Sequence, residues 1–161
     1  MSEIADYKLV RNSTVGTELT EDKAKLLAAK MGVRHLQDGE FLVKEGEADQ
    51  TLFVLAKGRL AVTSRDAEGV EQTVYTMKEG ECAGTRAFVE QSPRKATLRS
   101  VGSSTVYTLT PDDFEALLVS SPRAAFKVMR ALFRVTHANL SRMNQESKDL
   151  ANYISKTQGR Y

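Results

Sequence analysis

The chain has 161 residues, of which 41% are hydrophobic and 27% are charged, and its formal net charge is +2. This length suffices for one well-formed core and is short for two domains with linkers, and the composition excludes a disordered chain or a fibre. Lysine and arginine are scattered among aspartate and glutamate, so the small positive charge does not indicate a dedicated nucleic-acid surface.

Cysteine and histidine are too few to predict a disulfide, a metal site or a catalytic site. Cys82 is the single cysteine, and His35 and His137, the two histidines, have no accompanying nucleophile, base or ligand motif. We therefore expect a non-enzymatic protein without metal or cofactor. No signal-peptide pattern and no apolar stretch of roughly 18 residues is present, so we expect a cytoplasmic protein that does not enter a membrane.

The N-terminal third begins with a weakly patterned segment, residues 1–19, which we interpret as an arm or short helix. Thr20 can cap a helix over about 20–31, since Glu21 and Asp22 in its first turn favour the positive end of the helix dipole. The domain proper is predicted to span residues 20–145, followed by a helix extension and a frayed tail over 146–161.

The middle of the chain is predicted to form strands. Residues such as Leu60 and Val62 alternate with Ala61 and Thr63, the two-residue period of a strand with one buried face. Glycines fall between the short apolar runs, at positions 39, 46, 58, 69, 80 and 102. This spacing predicts a mainly β fold with flanking helices, a jelly-roll barrel (double-stranded β-helix) of about eight strands over residues 36–110.

Helices return over about 111–145. Thr110 and Pro111 are a cap and a first helical residue, and Ser121 and Pro122 repeat this pattern for a long C-terminal helix. Its apolar residues keep the alternating three- and four-residue spacing of a coiled-coil seam. The seam comprises Met129, Leu132, Thr136, Leu140, Met143, Ser147, Leu150 and Ile154. This stripe either packs on the barrel or, as its length past Met143 favours, forms a parallel homodimer.

The segment Asp38 to Val62, DGEFLVKEGEADQTLFVLAKGRLAV, resembles the signature of the cyclic-nucleotide-binding domain family, the sensor module of catabolite-activator-type regulators and cyclic-nucleotide-dependent kinases and channels. The segment GTRAFVEQSPRKAT, starting at Gly84, is similar to the family's phosphate-binding cassette. The resemblance implies a short helix opening at Gly84 whose free amides form an anion seat, and an Arg94 guanidinium that binds phosphate oxygens. The implied ligand-binding residues are Gly84, Thr85, Arg86, Ala87, Arg94, Lys95, Ala96, Val62 and Val74, with Met143 and Asn144 as lid candidates.

The cassette departs from the family pattern at three positions. Thr85 stands where the family has the glutamate that binds the ribose 2′-hydroxyl, Arg86 replaces an apolar residue, and Lys95 replaces a small or hydroxyl residue. If Arg86 and Lys95 point inward, they favour a ligand with more than one phosphate charge, such as a cyclic dinucleotide. If they point outward they are surface cations, and a third alternative places Arg86 in the seat itself, replacing the ligand.

Two functions remain open on these residues. In the first, the chain is a sensor that binds a cyclic nucleotide (cAMP, cGMP or a cyclic dinucleotide) and signals through its C-terminal helix to a downstream protein partner. In the second, it is a degenerate fold that no longer binds nucleotide and acts as a dimeric protein-interaction module. Family transcription factors add a helix-turn-helix unit, which would need more residues than follow Gln145, so we expect no direct DNA binding.

Overall fold

The structure, a computed structural model, describes residues 3–158, with side chains described to residue 156. Five helices and six strands follow one another along this range. In chain order they are α1 (Tyr7–Arg11), α2 (Glu21–Lys30), β1 (Gly32–Leu36), β2 (Phe41–Val43), β3 (Leu52–Arg65), β4 (Glu71–Met77), β5 (Cys82–Ala83), α3 (Thr85–Glu90), β6 (Thr97–Leu109), α4 (Pro111–Ser120) and α5 (Pro122–Gln158).

The strands form one antiparallel sheet in the order β1-β6-β3-β4, with β2 added to β6 and β5 added to β3. The sheet has six strands rather than about eight, because two expected turns lie inside continuous strands. Gly58 lies within β3 and Gly102 within β6, both with positive φ, and the register of β3 against β6 shifts around Gly58. The predicted class, mainly β with flanking helices and a long C-terminal helix, is confirmed.

Two cores lie on opposite faces of β3. Phe53 and Leu55 belong to a barrel core, whereas Leu52, Val54 and Ala56 belong to a helix-side core. This division follows the two-residue period of a strand, whose successive side chains point to opposite faces. The helix-side core carries the flanking helices, and the barrel core fills the sheet interior.

Residues 5–19 pack into the helix-side core and contain the short helix α1, one of the two interpretations that the sequence allowed for this segment. Val10, Val15 and Leu19 are at most 3% exposed, because the turn after α1 folds this segment back against α2. Glu18 then contacts the first part of α5, where Arg130 pairs with its carboxylate and Nη1 of Arg134 lies 3.3 Å away. The hydrogen bond from Arg130 holds the pKa of Glu18 below its ordinary value.

The helix caps were predicted correctly. The Thr20 hydroxyl accepts a hydrogen bond from the amide of Lys23, and the Thr110 hydroxyl accepts one from Asp113 at 3.1 Å. Helix α5 starts at Pro122 as predicted and runs for 37 residues, so residues 155–158 are helical rather than frayed. The last part of the predicted frayed tail, residues 159–161, lies outside the described residues.

Candidate functional site: a buried arginine at an uncapped helix

Helix α3 begins where the sequence predicted a helical turn, but no side chain caps it. Gly84 is its N-cap residue, with left-handed backbone at φ 85°, and the first helical hydrogen bond runs from the amide of Phe88 to the Gly84 carbonyl at 3.0 Å. The first amides of a helix have no carbonyl four residues earlier to bind. The amides of Thr85, Arg86 and Ala87 therefore remain available to an outside acceptor.

Position 84 requires glycine for two reasons. Its positive φ disfavours any residue with a Cβ atom. A Cβ built there would also collide with Nη1 of Arg94 and lie 2.9 Å from the Thr51 carbonyl oxygen. The close approach of Gly84 to Arg94 brings the guanidinium against the start of α3, as the cassette resemblance implied.

Arg94 is buried, with 5% of its surface exposed, and only part of its guanidinium is satisfied. Nη2 donates to the Thr51 carbonyl at 2.5 Å and lies 3.6 Å from Oδ2 of Asp49, while the ring centroid of Phe53 is 4.9 Å from Cζ. Nε and Nη1 are buried without a hydrogen-bond partner. A buried donor without a partner costs about 1–3 kcal/mol, and more when it is charged, so this pair of nitrogens is the unusual feature of the site.

The backbone holds Arg94 in place from both sides. Its amide donates to the Glu47 carbonyl at 2.9 Å, and its carbonyl accepts from the amide of Gly46 at 2.8 Å. Burial lowers the pKa of Arg94, opposed by the charge of Asp49, and an arginine stays protonated under such a shift. Burial raises the pKa of Asp49, but hydrogen bonds from Thr51 and the charge of Arg94 outweigh it, so the net shift is downward. Both groups are therefore charged at neutral pH.

A hollow of about 240 Å³ opens in front of Arg94. We call it the hollow, and its lining residues are Val43, Val62, Ala83, Gly84, Thr85, Arg86, Ala87, Pro93, Arg94, Lys95, Ala96 and Leu98. Eight of the nine predicted ligand-binding residues are among them. The ninth, Val74, is 63% exposed and lies outside the lining, because Tyr75, not Val74, is the β4 partner of Val62.

The apolar wall contains residues that the sequence reasoning missed. Leu98 is the register partner of both Val43 on β2 and Val62 on β3, so the three side chains meet on one patch of the sheet. The alternation along these strands marked them as inward-facing, but not which of them would border the cassette.

The three departures from the cassette pattern take different positions. The Thr85 hydroxyl is half-buried and lies 3.9 Å from the Cys82 sulfur. Nε of Arg86 donates to Oε2 of Glu90 at 3.0 Å, with both side chains mostly exposed, so the guanidinium of Arg86 does not fill the seat. Lys95 is exposed at the mouth of the hollow.

A larger groove of about 630 Å³ lies between α3 and α5 and shares Ala83, Gly84, Thr85 and Arg86 with the hollow. The lid candidate Met143 lines this groove, whereas Asn144 does not, and neither lines the hollow.

The predicted seam divides into two parts along α5. Leu132 is 2% exposed and Met129 is half-buried against the helix-side core, so the start of the stripe packs on the domain. Further along α5, the seam residues Thr136, Leu140, Met143, Ser147, Leu150 and Ile154 are exposed. Phe126 and Phe133, at 61% and 70% exposure, continue the exposed stripe towards the helix start in place of the two packed residues.

Other groups with chemical potential have ordinary contacts. His35 lies between Glu3 and Thr105, and His137 stacks on Phe133. Within residues 3–158 no group of three or more histidine, cysteine, aspartate or glutamate side chains could hold a metal ion. Among the helices of that range, none is both long and apolar enough to cross a membrane.

Comparison with known proteins identifies the family of the chain. The model of the cyclic nucleotide-binding domain family matches residues 33–121. The chain belongs to the cyclic nucleotide-binding domain family. The match covers both the barrel signature and the cassette, so their resemblance to this family is confirmed.

Two groups of kinase proteins contain similar stretches. The chain is 30% identical over 90 residues to human cGMP-dependent protein kinase 2, a match that covers 55% of this chain and 12% of the kinase. It is 32% identical over 92 residues to the cAMP-dependent protein kinase regulatory subunit of Yarrowia lipolytica, covering 57% of this chain and 24% of that protein. The matched stretch is thus a small part of each relative.

Solved structures share the fold at low sequence identity. A cyclic nucleotide-binding domain from Methylobacillus flagellatus superimposes with a TM-score of 0.80 at 17% identity, covering 91% of this chain and 86% of that one. The Thermus thermophilus catabolite activator protein gives 0.78 at 21% identity, covering 86% and 63%. The regulatory subunit of a cAMP-independent protein kinase A from Trypanosoma brucei gives 0.69 at 20% identity, covering 81% and 45%.

Proposed function

We propose that the chain is a non-enzymatic regulatory module that binds a cyclic nucleotide in the hollow and signals through α5. The observation that carries the proposal is the pair of buried, unpartnered nitrogens of Arg94 beside the uncapped start of α3. A phosphate placed there would accept from Nη1 of Arg94, which lies beside Gly84, and from the first amides of α3. It would thus supply the hydrogen bonds that these donors lack.

The strength expected of this contact follows from its charge. A hydrogen bond to a charged group contributes about 1.5–3 kcal/mol, which corresponds to roughly a 10- to 150-fold change in affinity. Arg94→Lys keeps the positive charge but removes the planar fork, so it separates geometry from charge.

Isothermal titration calorimetry with cAMP, cGMP and a cyclic dinucleotide tests the proposal on the wild-type chain, Arg94→Lys and Arg94→Ala. We expect at least one of these ligands to bind the wild type, and both variants to bind it at least tenfold more weakly. Lys57→Ala, an exposed cation outside the hollow, is the matched control and should keep wild-type affinity. Equal affinity of the wild type and Arg94→Ala would refute the anion seat.

The second candidate function, a dimeric docking module without ligand, is favoured by one observation. Thr85 offers a half-buried neutral hydroxyl where the family resemblance expects a glutamate, so a ribose hydroxyl would have a weaker acceptor. A thermal-shift panel separates the two functions, because a ligand at 100 times its Kd stabilises the folded state by about 2.7 kcal/mol. Unchanged melting with all three ligands would favour the docking module.

We further infer that two copies pair in parallel through the exposed stripe of α5. Phe126, Phe133, Leu140 and Ile154 recur at multiples of seven residues, and Met143 and Leu150 occupy the second seam row. The flanking positions beyond Phe133 include Asn139, Asn144 and Ala151, and Glu146 is the one acidic residue among them, so little charge would repel a second copy.

Light scattering on Leu140→Asp tests the pairing. A buried aspartate in each helix of the seam is unfavourable, so we expect this variant to have half the mass of the wild type. Ser141→Asp places the same charge on the neighbouring exposed position outside the stripe and should leave the mass unchanged. A wild type that is already monomeric would leave α5 as a surface for a different downstream protein.

Signalling through α5 is supported by the position of the groove. Because the hollow and the groove share residues 83–86, a ligand that extends from the hollow would reach the wall formed by α5, including Met143. Such contacts would couple ligand binding to the orientation of α5 if the ligand contacts α5 more favourably in one orientation than in another.

A further inference from the structure

The charges around the hollow are all of one sign. Its lining includes three cationic side chains, Arg86, Arg94 and Lys95, and no acidic side chain. Arg94 is held by Asp49 and Arg86 by Glu90, neither of which lines the hollow, whereas Lys95 has no acidic partner within residues 3–158. Lys95 is therefore a further cation, beyond the Arg94 guanidinium that the first phosphate would occupy.

The remaining charge is available at the mouth. The side chains of Arg86 and Glu90 are 66% and 59% exposed, and an ion pair this exposed contributes little to stability. Arg86 can therefore exchange Glu90 for an anionic group of a ligand at small cost. Since Lys95 follows Arg94 directly, its exposed side chain lies at the same mouth.

The hollow and the adjoining groove together offer more space than a single phosphate bound to Arg94 would fill. The hollow, at about 240 Å³, is smaller than the roughly 300–1,000 Å³ typical of small-molecule sites. The groove beside it adds about 630 Å³ and shares Arg86 with the hollow. A ligand that filled both the hollow and the groove would lie against Arg86, which lines both.

We propose that the ligand of this site carries a second anionic group, bound at the mouth of the hollow by Lys95 and Arg86. The proposal rests on the proposed function, since it places the first phosphate on Arg94. The ligand class is a nucleotide with two phosphate groups. Two sources supply this chemistry, a cyclic dinucleotide and a linear nucleotide with a phosphate at each end of its sugar.

Calorimetry with four probes distinguishes the charge and the source: cAMP and cGMP with one phosphate, cyclic di-GMP with two in a ring, and adenosine 3′,5′-bisphosphate with two in a linear molecule. We expect a two-phosphate probe to bind the wild type at least tenfold more tightly than either cyclic mononucleotide. Tighter binding of cyclic di-GMP identifies the source as a cyclic dinucleotide. Tighter binding of the bisphosphate would keep the second anionic contact but replace the cyclic nucleotide of the proposed function with a linear one. Equal or tighter binding of the mononucleotides would overturn the proposal.

Variants at the mouth test the proposal through the ratio of affinities for two-phosphate and one-phosphate probes, which a purely structural role of Lys95 or Arg86 would not change. Lys95→Ala and Arg86→Ala should each weaken the two-phosphate probe about fivefold, the upper range for an exposed charge pair, and weaken cAMP by a smaller factor. Glu90→Gln removes the ion pair of Arg86 and should strengthen binding of the two-phosphate probe. Lys57→Ala should change the affinity for neither the two-phosphate probe nor cAMP. Equal losses for one- and two-phosphate probes in Lys95→Ala would overturn the second anionic contact.

Arg94→Ala distinguishes failure of the second anionic contact from failure of the proposed function. If it abolishes all binding while Lys95→Ala has no selective effect, the proposed function stands and the second anionic group fails. If Arg94→Ala binds every probe as the wild type does, or if no probe binds the wild type, both fail together.

Discussion

Helices α3 and α4 begin in opposite ways. Helix α4 is completed by its own sequence, since the Thr110 hydroxyl accepts from the amide of Asp113, Pro111 removes one donor, and two aspartates occupy its first turn. Helix α3 has neither a capping side chain nor an acidic residue in its first turn, and it faces the unpartnered nitrogens of Arg94.

The difference shows which helix start has its amides satisfied by the chain itself and which does not. A capped helix start contributes to stability, whereas an uncapped one leaves its first amides free to donate to an external anion. A helix N-terminus thus serves the fold at α4, and at α3 it is the proposed anion seat. Single substitutions at the two ends should therefore affect different measurements.

Gly84→Ala should give the largest effect on binding. The added Cβ would collide with Nη1 of Arg94 and take a backbone conformation disfavoured for alanine, so the guanidinium must leave its place at α3. We expect ligand affinity to fall by about 10- to 100-fold in calorimetry.

The control for this substitution is Gly69→Ala. Gly69 has a similar φ of +81°, but a Cβ there would have no neighbour within 4 Å. Both variants should therefore share the loss of stability due to backbone strain, and only Gly84→Ala should lose ligand. A comparable loss of affinity in both would show that strain, not the contact with Arg94, determines binding.

Thr110→Ala should have the converse effect. It removes the hydroxyl that caps α4, and such a loss lowers the free energy of unfolding by about 1 kcal/mol. Because Thr110 does not line the hollow, we expect ligand affinity to stay within twofold of the wild type. Denaturant titration and calorimetry on the same preparation measure both quantities, and an unchanged unfolding free energy would contradict the role of the cap.

Asp49→Asn should have the smallest effect, a modest loss of stability near neutral pH that disappears in acid. Burial raises the pKa of Asp49, but hydrogen bonds from Thr51 and the charge of Arg94 bring it below its ordinary value of 3.8. A carboxyl with a lowered pKa contributes stability that is present above pH 3.8 and is lost as the pH falls through the folded-state value.

The unfolding free energy of the wild type should therefore fall more steeply between pH 5 and pH 3 than that of Asp49→Asn. Chemical denaturation at the two pH values measures this difference. An identical slope in the variant would mean that the ion pair with Arg94 does not contribute to the acid sensitivity.

The local signals in the sequence predicted the elements well. Thr20, Thr110 and Pro122 marked helix starts, because capping depends on residues within one turn of each other. All seven cassette residues that were predicted to meet line one hollow, because the segment from Gly84 to Ala96 is nearly contiguous in the chain, and of the two predicted strand residues Val62 lines it as well. Val74 was the exception, since its side depends on the register with β3.

Other features could not be read from the sequence. Gly58 and Gly102 separate short apolar runs just as the turn glycines do, yet they lie inside β3 and β6. Whether a strand continues through a glycine depends on a partner strand that is distant in the sequence. Likewise, spacing along α5 showed an apolar stripe but not that Leu132 packs on the domain while Phe126 and Phe133 are exposed.

By itself, then, the sequence determined where helices begin, which strands alternate and which arginine belongs to the cassette, since each depends on neighbours a few residues apart. Only the tertiary structure decided that Arg94 keeps two nitrogens without partners, that Arg86 pairs with Glu90, and which part of α5 is left exposed. The physical reason is that hydrogen-bond satisfaction and burial depend on groups that folding brings together from distant parts of the chain.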